Sequence, residues 1–360
     1  MTENRPSIVV LGGGYAGIKV AKALDEVADV TLVDPTDAFV HNVAALRALV
    51  DPPWLDKIFL PYERLLKQGR FIQDRATAVE GRRVTLGSGA VLEPDYLVLA
   101  TGSGYPFPAK SNEPDTTTAH AQFRDAHQAL REAGRVLIIG AGPTGLELAG
   151  EIKAYFPDKH LTIADGANDI LPGPFHQALR DELRDQVTAL GIDLRLGVRL
   201  TELPAAPPAT AAPIAVATED GQKLTADIWF RAFGVTPRSD YLRGPLAEAR
   251  DADGYLRVDE YLRLTDRVFA VGDISAADRN MASVAGHQAT FLVAHLQALI
   301  AGEGDLPTYE PAPVGIAVPL GPDGGAGQFP GSPDIVGPTV VSEVKGRHLR
   351  VEPTAALFDA

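Results

Sequence analysis

The chain has 360 residues, of which 45% are hydrophobic and 22% are charged, an ordinary composition for a globular protein of two to three domains. Its formal net charge of −14 argues against nucleic-acid binding, because phosphates need clustered Lys and Arg. It contains no Cys, which excludes disulfide exchange, thiolate catalysis and iron–sulfur ligation by this chain.

The first recognisable unit runs from Ser7 to Asp34 and predicts a strand, a glycine-rich turn, a helix and a second strand. Gly12, Gly14 and Gly17 have the spacing G-x-G-x-x-G directly after the apolar run IVVL. In such a turn the first glycine permits a tight bend, the second lets backbone approach a pyrophosphate, and the third lets the helix pack on the sheet. Asp34 closes the unit, where an acid accepts hydrogen bonds from a ribose.

A second unit of the same pattern runs from Arg135 to Asp165, so the chain contains an internal repeat. Its glycines are Gly140, Gly142 and Gly145, and Asp165 closes it. Such βαβ units predict parallel sheets covered by helices. Two dinucleotides in one chain indicate electron transfer between a permanently held flavin, FAD, and an exchanging nicotinamide, NADH or possible NADPH.

Later segments predict further elements of the same fold. The run VFAVGDISA predicts a strand ending in Gly272 and Asp273, where a carboxylate can approach a flavin; a plain Gly-Asp turn is the alternative. A helix is predicted from about Met281 to Ala301. The segments PTVVSEVK and HLRVEP predict two short strands in a small C-terminal cap.

Targeting signals are not expected. The start MTENRPS is polar, and Thr2 stands where N-myristoylation requires glycine. The most apolar run, Phe291–Ile300, is far shorter than the ~20 residues of a membrane span and is interrupted by His295 and Gln297. We therefore expect a soluble, cytoplasmic protein without a transmembrane segment, and no His or carboxylate spacing indicates a metal site.

The order of these motifs resembles the pyridine nucleotide-disulphide oxidoreductase superfamily, without its disulfide. That order is the first glycine turn, the ATG of Ala100–Gly102, the second glycine turn and the Gly-Asp turn. The segment HNVAALRALV (His41–Val50) is similar to a hallmark of the AIF-like flavoproteins related to ferroptosis suppressor protein. FPAKSNE, MASVAG and YEPAP are similar to the same group, and the resemblance covers Ser7 to about Gly327.

The resemblance implies an α/β fold with two Rossmann-like dinucleotide-binding domains, of the glutathione-reductase type, and a small C-terminal cap. It divides the chain into an FAD domain (1–115 and 245–302), an inserted NAD(P)H domain (116–244) and a cap (303–360). It implies an enzyme that moves hydride from NAD(P)H to FAD and electrons to a small-molecule acceptor of the quinone type. Departures from the family are the absent myristoylation site, the short acidic end TAALFDA, and AFG (Ala232–Gly234) in place of a second ATG.

The motifs and the resemblance together assign a set of cofactor-binding residues. Besides the glycines and the closing acids of the two units, these are Tyr15, Ala16, Asn42, Arg47, Ala100, Thr101, Gly102, Pro143, Thr144, Gly234, Gly272, Asp273, Met281 and Ala282. The resemblance further implies that the N-terminus of the last helix points at the flavin, where its N–H groups stabilise negative charge. Small residues there, Ala285 and Gly286 among them, either leave room for the acceptor or serve close packing.

Several site residues have two interpretations. The resemblance matches Glu147 to a family Glu beside the nicotinamide; the alternative is a solvated first-turn acid that the helix dipole stabilises. His41, the second candidate catalytic residue, either faces the flavin or packs in a loop. Arg47 either approaches FAD or lies at the surface, and Asn42 can cap the helix VAALRALV. Glu151 is interpreted as a supporting or surface residue.

Two functional alternatives accompany the quinone reductase. One is a redox sensor that binds FAD and NAD(P)H with little turnover. The other is a reductase of a small acidic electron-transfer protein, for which no patch of Lys and Arg is visible. Asp165, followed by GANDI without an Arg, predicts a preference for NADH over NADPH. The chain is expected to be a monomer or a homodimer.

Overall fold

The computed structural model describes residues 5–303 and 307–358. Thr2, residues 304–306 at the start of the predicted cap, and the last two residues of TAALFDA lie outside the described residues.

Strands and helices alternate along most of the chain. The strands are β1 (Ser7–Leu11), β2 (Asp29–Asp34), β3 (Ala38–Val40), β4 (Phe59–Pro61), β5 (Arg70–Gln73), β6 (Ala76–Glu80), β7 (Arg83–Leu86), β8 (Val91–Leu92), β9 (Tyr96–Leu99), β10 (Ser103–Gly104), β11 (Arg135–Ile139), β12 (His160–Asp165), β13 (Asp193–Leu196), β14 (Ile214–Ala217), β15 (Lys223–Ala226), β16 (Ile228–Arg231), β17 (Thr236–Pro237), β18 (Arg263–Thr265), β19 (Val268–Ala270), β20 (Ile316–Leu320), β21 (Gly324–Gln328) and β22 (Ile335–Val336). The helices are α1 (Tyr15–Leu24), α2 (Ala45–Val50), α3 (Leu55–Ile58), α4 (Thr116–Glu132), α5 (Pro143–Tyr155), α6 (Gln177–Ala189), α7 (Pro245–Glu248), α8 (Ala282–Ala301), α9 (Pro338–Val341) and α10 (Val351–Ala355).

The larger sheet has the strand order β18-β19-β9-β1-β2-β5, and all its pairs are parallel except β18 with β19. Its central strands are continuous apolar runs because helices and loops cover both faces. Val10 pairs with Leu32 on one side and Val98 on the other, and all three are fully buried. Since chain order reverses on either side of β1, the first glycine turn lies at a topological switch point, where such sheets bind ligands.

The smaller sheet, β13-β12-β11-β16, is entirely parallel and repeats this arrangement. Its first strand in the chain, β11, also lies between two partners, β12 and β16, so the second glycine turn occupies an equivalent switch point. The larger sheet takes strands from both before and after the smaller one. The two crossing segments, which connect one sheet to the other, contain β10 and β17, and these two strands pair with each other.

Helix α8 is the predicted last helix, and it begins at Ala282 with Met281 as its N-cap residue. In the described chain it alone is long and apolar enough to cross a membrane by length and composition, with 39% of that window buried. It packs along α1, and the Lys19 ammonium of α1 donates to the Gly286 carbonyl, 3.0 Å away. A core helix of this kind meets the same length and composition criteria, so the finding is weak evidence for a membrane span.

The prediction of two C-terminal strands is wrong. PTVVSEVK forms α9 and a single π-helical turn, Ser342–Gly346, and HLRVEP leads into α10. Short apolar runs do not distinguish strand from helix, and here tertiary packing decides, because Val341 and Leu349 are buried. The strands of this region lie earlier, where β20, β21 and β22 form a small antiparallel sheet.

Candidate functional site

The first glycine turn has a backbone that only glycine fits at two positions. Gly12 has φ +100°, and a Cβ there would lie 2.3 Å from the Ala100 carbonyl oxygen. A Cβ on Gly17 would lie 1.8 Å from the Gly12 carbonyl oxygen, so this glycine lets α1 pack against the turn. A Cβ on Gly14 would meet nothing within 4 Å. Gly14 therefore borders open space at the N-terminus of α1, next to Tyr15 and the buried Ala16.

The second glycine turn repeats this geometry. Gly140 has φ +117°, and its Cβ would lie 2.6 Å from the Ala232 carbonyl oxygen; a Cβ on Gly145 would lie 2.0 Å from the Gly140 carbonyl oxygen. Gly142 again borders open space and precedes Pro143 and Thr144, the first residues of α5. The ATG and AFG motifs thus have one shared role, because each places the carbonyl of its alanine against the first glycine of a glycine turn. Sequence reasoning did not identify that role.

The closing acids hold the glycine turns. Asp34 accepts from the Gly13 N–H at 2.7 Å with one oxygen and from Thr36 with the other. Asp165 accepts from the Ala141 and Ala167 N–H groups, each at 2.7 Å. Each carboxylate oxygen has two lone pairs, so both acids retain acceptor capacity for a ribose hydroxyl.

The residues present fit two dinucleotides. Helices α1 and α5 begin without a side-chain cap and without an acid in the first turn. Their free N–H groups therefore border the open space at Gly14 and Gly142, as a bound pyrophosphate requires. Among the residues described, no three or more His, Cys, Asp or Glu side chains are grouped so that they could hold a metal ion.

Tyr15 and His41 form a hydrogen-bonded chain that is partly buried. The Val43 N–H donates to the Tyr15 hydroxyl at 3.1 Å, and that hydroxyl lies 3.1 Å from His41 Nδ1. His41 Nε2 lies 2.7 Å from the Leu349 carbonyl oxygen, which places the proton on Nε2. His41 is 1% exposed, and burial lowers its pKa. This placement favours the packed loop histidine over a histidine that faces the flavin.

Asn42 does not cap the following helix. It begins a 3-10 turn, Asn42–Ala44, that leads into α2, and neither element has a side-chain cap. Its Oδ1 is buried without a hydrogen-bond partner among the residues described. Because an unpaired buried acceptor costs about 1–3 kcal/mol, this atom next to Val43 and Tyr15 is a candidate acceptor for a flavin N–H.

The Gly-Asp turn is held by three residues that sequence reasoning missed. Asp273 Oδ2 accepts from the Ser103 hydroxyl at 2.7 Å and from the Lys110 ammonium at 3.1 Å. Gly272 has φ +77°, and its N–H donates to Gln288 of α8 at 2.7 Å. Lys110 belongs to the FPAKSNE segment, so its sequence similarity was visible but its partner was not.

The start of α8 offers less room than the small residues implied. Ala285 is 6% exposed, and its Cβ lies 3.7 Å from the position of a Cβ on Gly272. Its packing favours the close-packing alternative over an acceptor pocket. Met281 and Ala282 are half-buried, and the first-turn N–H groups of α8 have no side-chain cap.

The crossing segments join the two sheets near both glycine turns. Thr101 donates to the Arg238 carbonyl at 2.8 Å, and the Arg238 N–H donates to the Gly102 carbonyl at 2.9 Å. Gly234 has φ +94° and lies beside Arg231, whose guanidinium stacks 4.5 Å from the Phe233 ring centroid.

Glu147 forms an ion pair that the sequence did not reveal. Lys345, in the π-helical turn, donates to Glu147 Oε1 at 2.7 Å and to the Ala317 carbonyl at 3.1 Å. Burial raises the pKa of Glu147, and Lys345 opposes that rise. Glu147 is therefore not a solvated helix-start acid. Its Oε2 accepts from no donor in the described part of the chain.

Arg47 is not a surface residue. It is 2% exposed and forms an ion pair with Glu151 of α5, which is also 2% exposed. Sequence reasoning failed here because 104 positions separate the two residues and a helix pattern does not reveal such a partner. Glu151 is a supporting residue in the core, not a surface one.

Two glycine-rich turns, each at the switch point of a parallel sheet, are typical of a flavin- and nicotinamide-dependent oxidoreductase. The chain belongs to the pyridine nucleotide-disulphide oxidoreductase family, whose family model matches residues 6–289. The predicted family, fold class and oxidoreductase activity with FAD and NAD(P)H are thereby confirmed.

Named relatives span nearly the whole chain. Ferroptosis suppressor protein 1 of Taeniopygia guttata is 30% identical over 352 residues, 96% of this chain and 93% of the relative. The sulfide:quinone oxidoreductase of Aquifex aeolicus has the same fold, with TM-score 0.76, 18% identity, and coverage of 98% of this chain and 91% of that chain. NDH2 of Plasmodium falciparum, in complex with NADH, has TM-score 0.75, 15% identity, and coverage of 95% and 94%.

Proposed function

We propose that this flavoenzyme oxidises NADH or NADPH and passes the electrons through FAD directly to a quinone. In this proposal the larger sheet (1–115 and 245–302) holds FAD and the inserted segment (116–244) holds the nicotinamide nucleotide. When bound, FAD supplies the chemistry, since it accepts hydride from a nicotinamide and passes electrons to an acceptor.

The missing cysteines carry this proposal. Family members named for disulphide chemistry need a thiol pair, and this chain of 360 residues has no Cys. Electrons that enter the protein must therefore leave the flavin for an external acceptor. One structural relative is named as a sulfide:quinone oxidoreductase, and that name supports a quinone as the acceptor.

Glu147 and Lys345 are the proposed positioning pair of the nicotinamide half-reaction. Lys345 opposes the rise in the pKa of Glu147 that burial causes, and the unpaired Oε2 remains as an acceptor near the start of α5. A fixed acceptor at this edge would orient the nicotinamide carboxamide, and a lost positioning contact costs on the order of tenfold in rate.

Both nicotinamide nucleotides are proposed as reductants because of Arg199. Its Cγ would lie 3.2 Å from a Cβ on Gly166, so the side chain crosses the loop directly after Asp165. Arg199 is exposed, and its guanidinium has no ion pair among the described residues. The expectation of a preference for NADH considered only the local sequence GANDI, whereas an Arg near this site accommodates a 2′-phosphate.

Anaerobic stopped-flow measurements test the proposed function. Holoenzyme is first mixed with NADH while flavin absorbance is followed, and then with a short-chain quinone, oxidised glutathione or a small ferredoxin. We expect rapid reoxidation by the quinone only. Faster reoxidation by the ferredoxin would favour the reductase alternative, and slow reoxidation by every acceptor would favour the redox sensor.

Substitutions in the proposed positioning pair test the site. Glu147→Gln and Lys345→Met should each slow flavin reduction by NADH about tenfold and leave FAD content unchanged. Glu343→Gln, an exposed acid in the same π-helical turn, is the matched control. Unchanged reduction in both pair variants would remove Glu147 and Lys345 from the site.

A further inference from the structure

Arg47 joins three separate parts of the chain in the protein interior. It lies on α2, which packs against α4 and α5, and its Nη2 donates to Glu151 Oε1 of α5 at 2.7 Å. The same nitrogen donates to the Gly346 carbonyl at 2.9 Å. The Trp54 and Tyr155 rings flank the guanidinium, with centroids at 5.1 and 5.7 Å.

Each hydrogen-bond partner of Arg47 lies close in the chain to a member of the Glu147–Lys345 pair. Glu151 follows Glu147 by one turn on the same face of α5. Gly346 directly follows Lys345 in the π-helical turn. Arg47 therefore holds both the helix that carries Glu147 and the backbone that carries Lys345.

We propose that Arg47 and Glu151 are positioning residues that set the register between Glu147 and Lys345, and thereby the rate of hydride transfer from the nicotinamide. This inference rests on the proposed function of the Glu147–Lys345 pair. The planar guanidinium suits the task, because its donors are fixed in one fork and can bind a carboxylate and a carbonyl together.

Stability alone is a weak explanation for such a pair. Burying two charges costs several kcal/mol per ion, and apolar residues of similar volume often replace a buried pair without loss of stability. A buried ion pair can instead serve to fix one arrangement of the elements around it. Here those elements are α2, α5 and the C-terminal turn. Among the described residues, no other ion pair between these elements is as deeply buried as the pair of Arg47 and Glu151.

The test replaces the pair by apolar residues in the holoenzyme. Arg47→Met/Glu151→Leu should fold and keep its FAD, since neither charge is left unpaired. We expect its limiting rate of flavin reduction by NADH to fall about tenfold, with the apparent Kd for NADH and the rate of quinone reoxidation unchanged. Arg83→Met/Glu93→Gln, which removes an exposed pair, is the matched control and should behave like the unmodified enzyme.

Combination with Lys345→Met separates positioning from a general structural role. If Arg47 and Glu151 act through Lys345, adding Lys345→Met to the apolar double variant should cause no further loss. Additive losses, or an unchanged reduction rate in the double variant, would overturn the inference.

A conservative variant keeps the test decisive if the apolar double variant does not fold. Arg47→Lys retains the charge, but a single ammonium replaces the guanidinium fork and should give the same selective loss of reduction rate. An unaltered rate in Arg47→Lys as well would overturn the inference. If Lys345→Met alone has no effect in the otherwise unmodified enzyme, the proposed function of the Glu147–Lys345 pair fails instead.

Discussion

At the scale of single residues, the glycines of one turn have different roles that the spacing G-x-G-x-x-G does not separate. Gly12 and Gly17 are required by the protein itself, because a Cβ at either position would collide with backbone. Gly14 is required only by a ligand, since the space around its Cα is open and its φ of −73° suits any residue. Substitutions at Gly14 and Gly17 should therefore fail in different ways.

We expect Gly14→Val to fold but not to hold FAD, because the valine side chain occupies the space where the pyrophosphate approaches the backbone. Its urea unfolding midpoint should match that of the unmodified apoprotein. Gly17→Val should not fold, since its Cβ would lie 1.8 Å from the Gly12 carbonyl oxygen. Flavin absorbance after reconstitution measures the first effect, and a yellow, fully reconstituted Gly14→Val would contradict it.

His41 should make the folded state sensitive to mild acid. Burial lowers its pKa below the ordinary 6.5, so the folded protein favours the neutral ring. The stabilisation from His41 is therefore complete above about pH 6.5 and is lost as the pH falls through the lowered pKa. His41→Gln retains an acceptor for Tyr15 and a donor for Leu349 and should remove this loss.

Urea unfolding of the apoproteins at two pH values measures this effect. The values, about pH 7.5 and about pH 5.5, lie on either side of the ordinary His pKa of about 6.5. The unfolding free energy should fall further for the unmodified protein than for His41→Gln. His120 and His295 also have pKa values lowered by burial, but they contribute equally to both proteins and cancel in the comparison. Equal losses in the two proteins would show that His41 does not titrate in this range.

At the scale of elements, the βαβ unit explains what the sequence could and could not predict. The turn after β1 and the turn after β11 follow from local sequence, because tight strand-to-helix turns demand glycine at fixed positions. The loops that meet at the outer end of a parallel sheet come from distant segments. Val198 donates its N–H to the Asp165 carbonyl at 2.9 Å, and this contact brings Arg199 to the loop that follows Asp165. No local pattern around Asp165 predicts it.

Arg199→Gln should therefore change the choice between nucleotides. We expect kcat/KM for NADPH to fall about tenfold, since one charge-assisted contact to a phosphate contributes roughly 1.5–3 kcal/mol and an exposed site is weakened by screening. The value for NADH should stay within about twofold of that of the unmodified enzyme. Arg195→Gln, an exposed position on β13 whose Arg pairs with Asp193, is the control. Equal losses with both nucleotides would exclude Arg199 as a specificity residue.

At the scale of the whole molecule, the C-terminal segment is the part that sequence analysis described least well. It supplies Lys345 to Glu147, Gly346 to Arg47 and Leu349 to His41, over separations of 198, 299 and 308 positions. Such contacts join residues that are far apart in the chain, and local periodicity cannot predict them. The packing of this segment also explains why the two predicted strands are helical turns.

The last described residue of this segment, Phe358, belongs to the hydrophobic core that also contains Ile8 and Val10 of the larger sheet. It is 1% exposed, and its ring centroid lies 5.7 Å from that of Phe39, which follows β2 in the chain. Phe358→Ala should lower the free energy of unfolding by about 3–5 kcal/mol, because it leaves a cavity in the core. Phe329→Ala should change it by less than about 0.5 kcal/mol, since Phe329 is 38% exposed. Urea unfolding of the apoproteins, which removes the contribution of bound FAD, measures both. Equal stabilities for the two variants would mean that the end of the chain is not part of the core, and that the contacts of Lys345, Gly346 and Leu349 do not depend on it.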